Sequence, residues 1–520
     1  MKILKSYVNG KWHRADQGLV PTFNPSTEEA IAQVSSSGID FGAVLRHAHQ
    51  AGGPALRSLT FAERGALLKD MSKILRGNRE ELLDLSRQCS GTTLSDGAFD
   101  IDGAGGTLAY YAHLSKSSTS NTGLLEGEGV QLARTEAVWG QHLLFPFQGA
   151  AVHINAFNFP VWGFGEKAAC ALLAGMPVIT KPATATALVA ERAVELIIEA
   201  GVLPEGSLQL ICGSTGNLLE HLGPQDVIAF TGSADTAMTL RSVVAVSSAN
   251  PRFNVEADSL NAAIFGGGEG AVGDQTRDLF LRDVLREITQ KAGQKCTAVR
   301  RILVPADQMD EVERALVAGL ETVLTGNPID PSVHMGPLAT ADQLDAAIRG
   351  VDSLSQSCRI VYGTGKRSDG LGSPVGKGYF FAPTLLACSD ADSAPEVHHR
   401  EVFGPVATLV PYDGTPAEAA RIVSLAGGTL VTSLYSDDLD WSRQLIQSVG
   451  PSTGRIYVGS EGMANEAPGS GAALPQLMHG GPGRCGGGAE LGGWRGVKLY
   501  MQRIALQGHR SVVEALNEST

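Results

Sequence analysis

Residues 149–182 read GAAVHINAFNFPVWGFGEKAACALLAGMPVITKP, the punctuation of a strand, a crossover helix and a second strand. Residues 150–154 are a short apolar run, 155–160 a loop, 163–173 a helical stretch stopped by Gly175, and 177–180 apolar again before Lys181-Pro182. The pattern continues with a helix over 187–200, a strand over 208–211, the turn Gly213-Ser214-Thr215-Gly216, a further helix, a strand over 227–230, and Thr231-Gly232-Ser233. Strands alternating with helices predict a parallel sheet with crossover connections, whose ligands bind at the loops after the strands. The expected fold class is α/β. No GxGxxG is present, but Thr231-Gly232-Ser233 after Phe230, and the Gly213, Ser214, Gly216 turn, can offer backbone N–H groups to a phosphate, the former together with a helix N-terminus. Small turns of this kind occur in any α/β protein, so they do not by themselves define a nucleotide site.

Working outward, residues 7–12 predict a strand, an Asn9-Gly10 turn and a strand start, and 30–34 a strand. Asp40 caps a run of amphipathic helices over 43–50, 60–76, 79–88 and 100–114. Residues 123–132 and 136–144 read as a pair of protruding strands. Downstream, a second α/β unit holds a helix over 274–290, a strand at 302–304, a helix over 309–324 and a strand at 430–435, interrupted by a loop-rich section from 327 to 384. Residues 460–488, rich in Gly, Ala and Pro but seeded with Leu474, Leu477 and Met478, read as ordered loops, and 498–506 as a last strand.

Composition narrows the function classes. A chain of 520 residues, 43% hydrophobic and 18% charged, is long enough for more than one domain. A net charge of -13 with no dense Lys/Arg run argues against nucleic acid as a partner. The seven cysteines are scattered and show no CxxC spacing, which points to a reducing cytoplasm and away from a disulfide framework or zinc. No apolar run reaches the roughly 18 residues of a membrane span. The 63 glycines suggest many tight turns and few long helices.

One cysteine differs from the rest. In EITQKAGQKCTAVRR, residues 287–301, a helical pattern runs to about Ala292, Gly293 breaks it, and Ile302 begins a strand, so Cys296 sits in a turn between two rigid elements, where a nucleophile belongs. A small buried hydrophobe is the commoner use of a free cysteine. Its company elsewhere in the chain decides the matter.

Asn158-Phe159-Pro160, Lys181-Pro182-Ala183, Phe230-Thr231-Gly232-Ser233, Glu256, Gly293-Gln294-Lys295-Cys296 and Glu401-Val402-Phe403-Gly404-Pro405 occur in the order in which they stand in the NAD(P)-dependent aldehyde dehydrogenase superfamily, which the chain resembles over nearly its whole length. Through residues 256–261 (EADSLN), 480–484 (GGPGR), 490–493 (ELGG) and 500–503 (YMQR) it is similar to the ring-opening semialdehyde dehydrogenases of aerobic, CoA-dependent aromatic degradation. It departs from the wider superfamily at Glu256-Ala257-Asp258-Ser259, where Glu-Leu-Gly-Gly is usual, at Phe157, where tryptophan is usual, and at Met478-His479-Gly480-Gly481, where Pro-Phe-Gly-Gly is usual. The last change lies where the resemblance places the substrate entrance.

The resemblance implies two Rossmann-type parallel-sheet domains plus a small β bridging or oligomerisation element: residues 1–121 and 147–255 for the cofactor, 256–488 for catalysis, 122–146 and 489–520 for the bridge, with a homodimer as the default assembly. It implies NADP or NAD as cofactor, and a CoA-thioester semialdehyde, 3,4-dehydroadipyl-CoA semialdehyde of benzoate breakdown, as substrate. The chemistry then follows. A Cys296 thiolate adds to the aldehyde carbon, Asn158 and the Cys296 N–H stabilise the resulting oxyanion, and Glu256 activates the water that hydrolyses the thioester. Asp258 is a rival for that base. Glu166 and Lys167 either relay protons or form an exposed helix pair, and Glu490 is a further relay candidate.

Lys181 follows a strand and can reach ribose hydroxyls or a phosphate, while the resemblance assigns Glu401 to the nicotinamide ribose and Phe403 to the ring; His398, His399 and Arg400 crowd Glu401 in sequence. Thr184 stands where NAD-preferring relatives place a glutamate, so the lost repulsion favours NADP, although Thr184 also reads as a helix start. No metal site is expected from His398 and His399, since sequence neighbours rarely point at one ion. A general aliphatic or CoA-acylating aldehyde dehydrogenase and a non-catalytic binding protein on the same fold remain as alternatives.

Overall fold

Five strands of the alternating pattern, Ala151–Ile154, Val178–Lys181, Leu208–Leu210, Val227–Thr231 and Arg252–Glu256, lie parallel in one sheet, and the antiparallel pair Ser6–Val8 and Lys11–His13 extends its edge. The coordinates are a computed structural model describing residues 1–118, 123–135, 137–246, 249–267 and 270–518. Helices cover both faces of this sheet, which is why Ala151–Ile154 is buried along its whole length and apolar except for His153, whose Nε2 meets the Tyr500 hydroxyl at 3.1 Å. The crossover helix Trp162–Ala174 is buried nearly all round, and Gly175, with φ 96°, ends it by donating its N–H to Ala171 and Leu172 carbonyls.

A second seven-stranded sheet contains Asn261–Phe265, Val299–Pro305, Thr384–Cys388, Val406–Tyr412, Thr429–Tyr435 and Thr453–Gly459 in parallel, with Cys358–Tyr362 antiparallel at one edge. A separate three-stranded sheet joins Leu124–Gln131, Trp139–Pro146 and Met501–Gly508, the last pairing with Trp139–Pro146 from Met501 opposite Pro146 to Gly508 opposite Trp139. The α/β architecture is thus two parallel-sheet layers plus a small β element. Residue 136 and the expected boundary at 121/122 lie outside the described residues.

Several expectations need correction. The 327–384 section holds the helix Ala341–Leu354 and the edge strand Cys358–Tyr362; the Thr340 hydroxyl caps that helix on the Gln343 N–H, worth about 1 kcal/mol. Glycine abundance does not preclude long helices: Leu94–Leu114 runs 21 residues. Its glycines admit neighbours, since a Cβ on Gly103 would stand 2.4 Å from the Trp162 ring. After the 213–216 turn there is only a short 3-10 turn, Leu218–His221. Among the described residues no helix is long and apolar enough to cross a membrane. Asp40 caps Phe41–His47 as expected, its carboxylate accepting the Ala43 N–H at 2.9 Å.

Candidate active site

Glu256 is the last residue of Arg252–Glu256, at the carboxyl edge of the first sheet, and the Asn158 loop, Lys181 and Thr231-Gly232-Ser233 emerge from the same edge. Cys296 comes from the turn that leads into Val299–Pro305 of the second sheet. The two sheets therefore meet over one cavity, lined by the polar Asn158, Glu166, Lys167, Glu256, Cys296 and His479 and by the apolar Phe99, Phe159, Trp162 and Ala473.

The nucleophile turn is held from several sides. Its helix, Asp274–Thr289, stops earlier than the sequence pattern suggests, because Lys291 and Ala292 take left-handed backbone angles (φ 54° and 51°) before Gly293 (φ 66°). Left-handed non-glycine residues cost roughly 1–2 kcal/mol each and persist where surroundings impose them. Here the fully buried Lys295–Glu287 ion pair at 2.8 Å and the Arg300 guanidinium, donating to Gly293 O at 2.9 Å and Gly404 O at 2.8 Å, do so. A Cβ on Gly293 would lie 2.2 Å from Gly404 O, so only glycine fits. The Asn261 amide donates to Cys296 O at 2.8 Å and Ala298 O at 2.9 Å, while its own oxygen accepts from Ser259 Oγ and Val431 N. Ser259 and Asn261 in the unusual 256–261 stretch thus tie the base's loop to the nucleophile's turn.

The electrostatics centre on two triplets. His479 Nε2 is 3.2 Å from Glu256 Oε1 and 3.7 Å from Cys296 Sγ. Lys167 Nζ is 3.1 Å from both Glu166 and Glu490. Burial pushes Glu166 up to about 7, with Glu490 and Glu256 adding to the effect and Lys167 opposing it, and burial likewise raises Glu490. Burial works against the charges of Lys167 and Glu256 too, but their partners win: three carboxylates hold Lys167 protonated, and His479, with help from Lys167, keeps Glu256 ionised. Burial and the Glu256 charge push the Cys296 thiol well up. The Lys167 ammonium stands among the three carboxylates where a cation would bind.

The sequence-level alternatives resolve as follows. Lys167 is 2% exposed, so Glu166 and Lys167 are not an exposed helix pair. Asp258 does not line the cavity; it accepts the Ala234 N–H at 2.9 Å and pairs with Arg484 at 3.2 Å. The histidines beside Glu401 do not crowd it. His398 is buried against Arg301, and Glu401 instead accepts the Ser259 N–H at 3.1 Å and faces Arg300 at 3.5 Å, with burial raising it to about 7. Arg300 also lies 5.5 Å from the Phe403 ring centroid. Phe403 makes an edge contact with Phe157.

On the cofactor side, Lys181 ends its strand, and burial lowers its pKa. Thr184 opens the 3-10 turn Thr184–Thr186 ahead of Ala187–Glu199 without capping that helix. Strands 178–181 and 208–210 are adjacent and parallel, which brings Lys181 and the Gly213, Ser214, Gly216 turn to one edge. Phe230, Thr231, Gly232 and Ser233 lie farther along it, Gly232 N donating to Glu256 O at 3.2 Å and Ser233 Oγ accepting from Thr236 N. Arg300 went unread in the sequence and gives no signal beyond its position after the cysteine, whereas His479, expected at the substrate entrance, stands instead beside Cys296 and Glu256.

The aldehyde dehydrogenase family model matches residues 12–503. The chain is 42% identical over 480 residues to the 3,4-dehydroadipyl-CoA semialdehyde dehydrogenase of Aromatoleum evansii, covering 92% of this chain and 93% of that one. Among solved structures it superposes on betaine aldehyde dehydrogenase of Staphylococcus aureus in complex with NAD+ (TM-score 0.84, 24% identity, 98% of this chain and 95% of that one). It also superposes on lactaldehyde dehydrogenase of Escherichia coli (TM-score 0.84, 22% identity, 98% and 99%). The chain belongs to the aldehyde dehydrogenase family. It is an aldehyde dehydrogenase.

Proposed function

We propose that the enzyme oxidises a CoA-linked semialdehyde, 3,4-dehydroadipyl-CoA semialdehyde, to its carboxylic acid with NADP, as a step of benzoate breakdown. The observation that carries this reading is the 42% identity, sustained over 92% of the chain, to a relative named for that substrate. The Met478-His479 substitution, which puts a polar ring beside Cys296 and Glu256 where the resemblance expects phenylalanine, supports a substrate unlike ordinary small aldehydes.

In this reading Cys296 Sγ adds to the aldehyde carbon. The Asn158 amide and the Cys296 N–H stabilise the oxyanion; such donors are each worth about 3 kcal/mol when fixed beforehand. A bound nicotinamide supplies the hydride acceptor. Glu256 then removes a proton from the water that attacks the thioester. Lys167, with Glu166 and Glu490, passes that proton from the buried end of the cavity.

The chain's residues fit a nicotinamide nucleotide. Lys181 is a half-buried ammonium that makes no hydrogen bond or ion pair to a described residue, Ser233 begins a helix whose N-terminal amides suit a phosphate, and Glu401 offers a carboxylate to ribose hydroxyls. Gly213, Ser214, Gly216 and Thr184 complete that side, with Phe403 against the ring. Residues 1–121 with 147–255 form the cofactor domain, 256–488 the catalytic domain, and 122–146 with 489–520 the bridge between two subunits.

Comparing kcat/KM for the CoA-linked semialdehyde with that for a free aliphatic aldehyde of equal chain length tests the substrate. A large preference for the CoA form is expected, and equal values would refute recognition of CoA. Product analysis with added free CoA should give the acid alone; a second CoA thioester would mean that CoA, not water, resolves the intermediate.

A further inference from the structure

We infer that His479 is a catalytic residue, the base that takes the Cys296 proton and the cation that then holds the sulfur as thiolate. The inference rests on Cys296 being the nucleophile. His479 Nε2 is 3.7 Å from Sγ and 3.2 Å from Glu256 Oε1, and the residue is 4% exposed. Its Nδ1 is buried without a hydrogen-bond partner among the described residues, so the ring's polar contacts all pass through Nε2. Its place is set by backbone pairing: Met478–His479 is antiparallel to Glu490–Leu491, with His479 opposite Glu490.

The charges around the sulfur explain why such a group is needed. Three of the groups bearing on Cys296 are the carboxylates Glu256, Glu166 and Glu401, which together with burial oppose its ionisation. The Lys167 ammonium is engaged by Glu166 and Glu490. His479 is the cation-forming side chain in contact with the sulfur. It faces Glu256 from strand Arg252–Glu256, Glu166 from helix Trp162–Ala174, Glu490 from the strand paired with its own, Cys296 from its turn and Arg455 from strand Thr453–Gly459. Burial and Arg455 disfavour the imidazolium, while Glu256 and Glu166 favour it and prevail.

The proton balance closes over one turnover. The S–H bond breaks with both electrons left on sulfur, and its proton forms Nε2–H, which the thiolate and Glu256 Oε1 share. Sulfur adds to the aldehyde carbon while the proton stays on His479. When Glu256 has deprotonated water and the thioester is hydrolysed, sulfur leaves as thiolate beside the same imidazolium and recovers its proton. One group therefore serves both the attack and the departure of sulfur.

Alkylation of Cys296 by iodoacetamide, which reacts with thiolate, tests this in the full chain without substrate or cofactor. The other six cysteines are buried, and Cys296→Ala supplies the background. In the wild-type protein alkylation should persist well below the usual thiol range; a single midpoint at or above that range overturns the proposal without any variant. His479→Phe should slow alkylation at neutral pH by about tenfold or more and move its midpoint up by about one pH unit or more. His479→Gln, which can donate a hydrogen bond but cannot take the proton, should behave like His479→Phe. A wild-type alkylation profile in either variant, with cofactor binding intact, overturns the assignment. Retained turnover in Cys296→Ala would instead refute the nucleophile itself.

Discussion

Lys167 Nζ stands 3.1 Å from Glu490 Oε2 and 3.1 Å from Glu166 Oε1, so one buried ammonium pairs with two carboxylates that, with Glu256, bring oxygens within 4.8 Å of one another. Removing it leaves like charges facing each other in a low-dielectric site. Lys167→Met should therefore lose about 3–5 kcal/mol of unfolding free energy at neutral pH. The sign of its pH dependence follows from the carboxylates. Their folded pKa values, already raised for Glu166 (about 7) and Glu490, climb further in the variant, so the folded state binds protons more readily than the unfolded one. The deficit relative to wild type should be largest above pH 7 and shrink as pH falls, which denaturant titrations across that range will read; a pH-independent deficit would show that the cost is packing alone.

Cys296→Ala should abolish turnover while changing the Kd for NADP by less than about threefold, because the thiol acts on the aldehyde carbon only. Equilibrium cofactor titration beside a steady-state assay checks both halves.

Glu256→Gln should cut steady-state turnover by about 10²–10⁴-fold yet leave a single-turnover burst of NADPH, since the base acts after hydride transfer. Rapid-mixing absorbance separates the two phases. If burst and steady state fall together, Glu256 acts earlier or only holds geometry.

Thr184→Glu should weaken NADP binding by about tenfold or more, an effect of about 1.4 kcal/mol, and move preference toward NAD. A wild-type kcat/KM higher for NAD than for NADP would contradict the electrostatic reading of Thr184.

Leu125 and Ile504, both opposite Leu143 in the three-stranded sheet, are 51% and 40% exposed, an apolar pair that a second copy of the chain would cover. Sedimentation should find a dimer, and Ile504→Asp should shift it toward monomer; a wild-type monomer at working concentration would refute this.

Much of this arrangement was legible because its signals are local. The strand and helix alternation of 149–233 shows the first parallel sheet through residue pattern alone, and a glycine before Cys296 marks its turn. What escaped reading depended on contacts distant in the chain. Nothing in the neighbourhood of Glu401 reveals that Arg300 and the Ser259 N–H, rather than His398 or His399, are its partners. Whether Lys167 is solvated or buried turns on Glu490, more than three hundred positions away. The left-handed Lys291 and Ala292 continue a helical pattern in sequence, and what ends that helix early, the Lys295–Glu287 pair, the Arg300 bonds and the fit of Gly293 against Gly404, becomes apparent only in the fold.

Glu256 closes a strand of one sheet, Cys296 precedes a strand of the other, and Asn261 clasps the cysteine's turn from the segment between them. Neither sheet holds a complete reactive centre, so catalysis begins only once the two have docked in register. Recovery of dehydrogenase activity after dilution from denaturant is consequently a clock for the docking of the layers, and it should lag behind the return of helical and strand signal that each layer regains by itself.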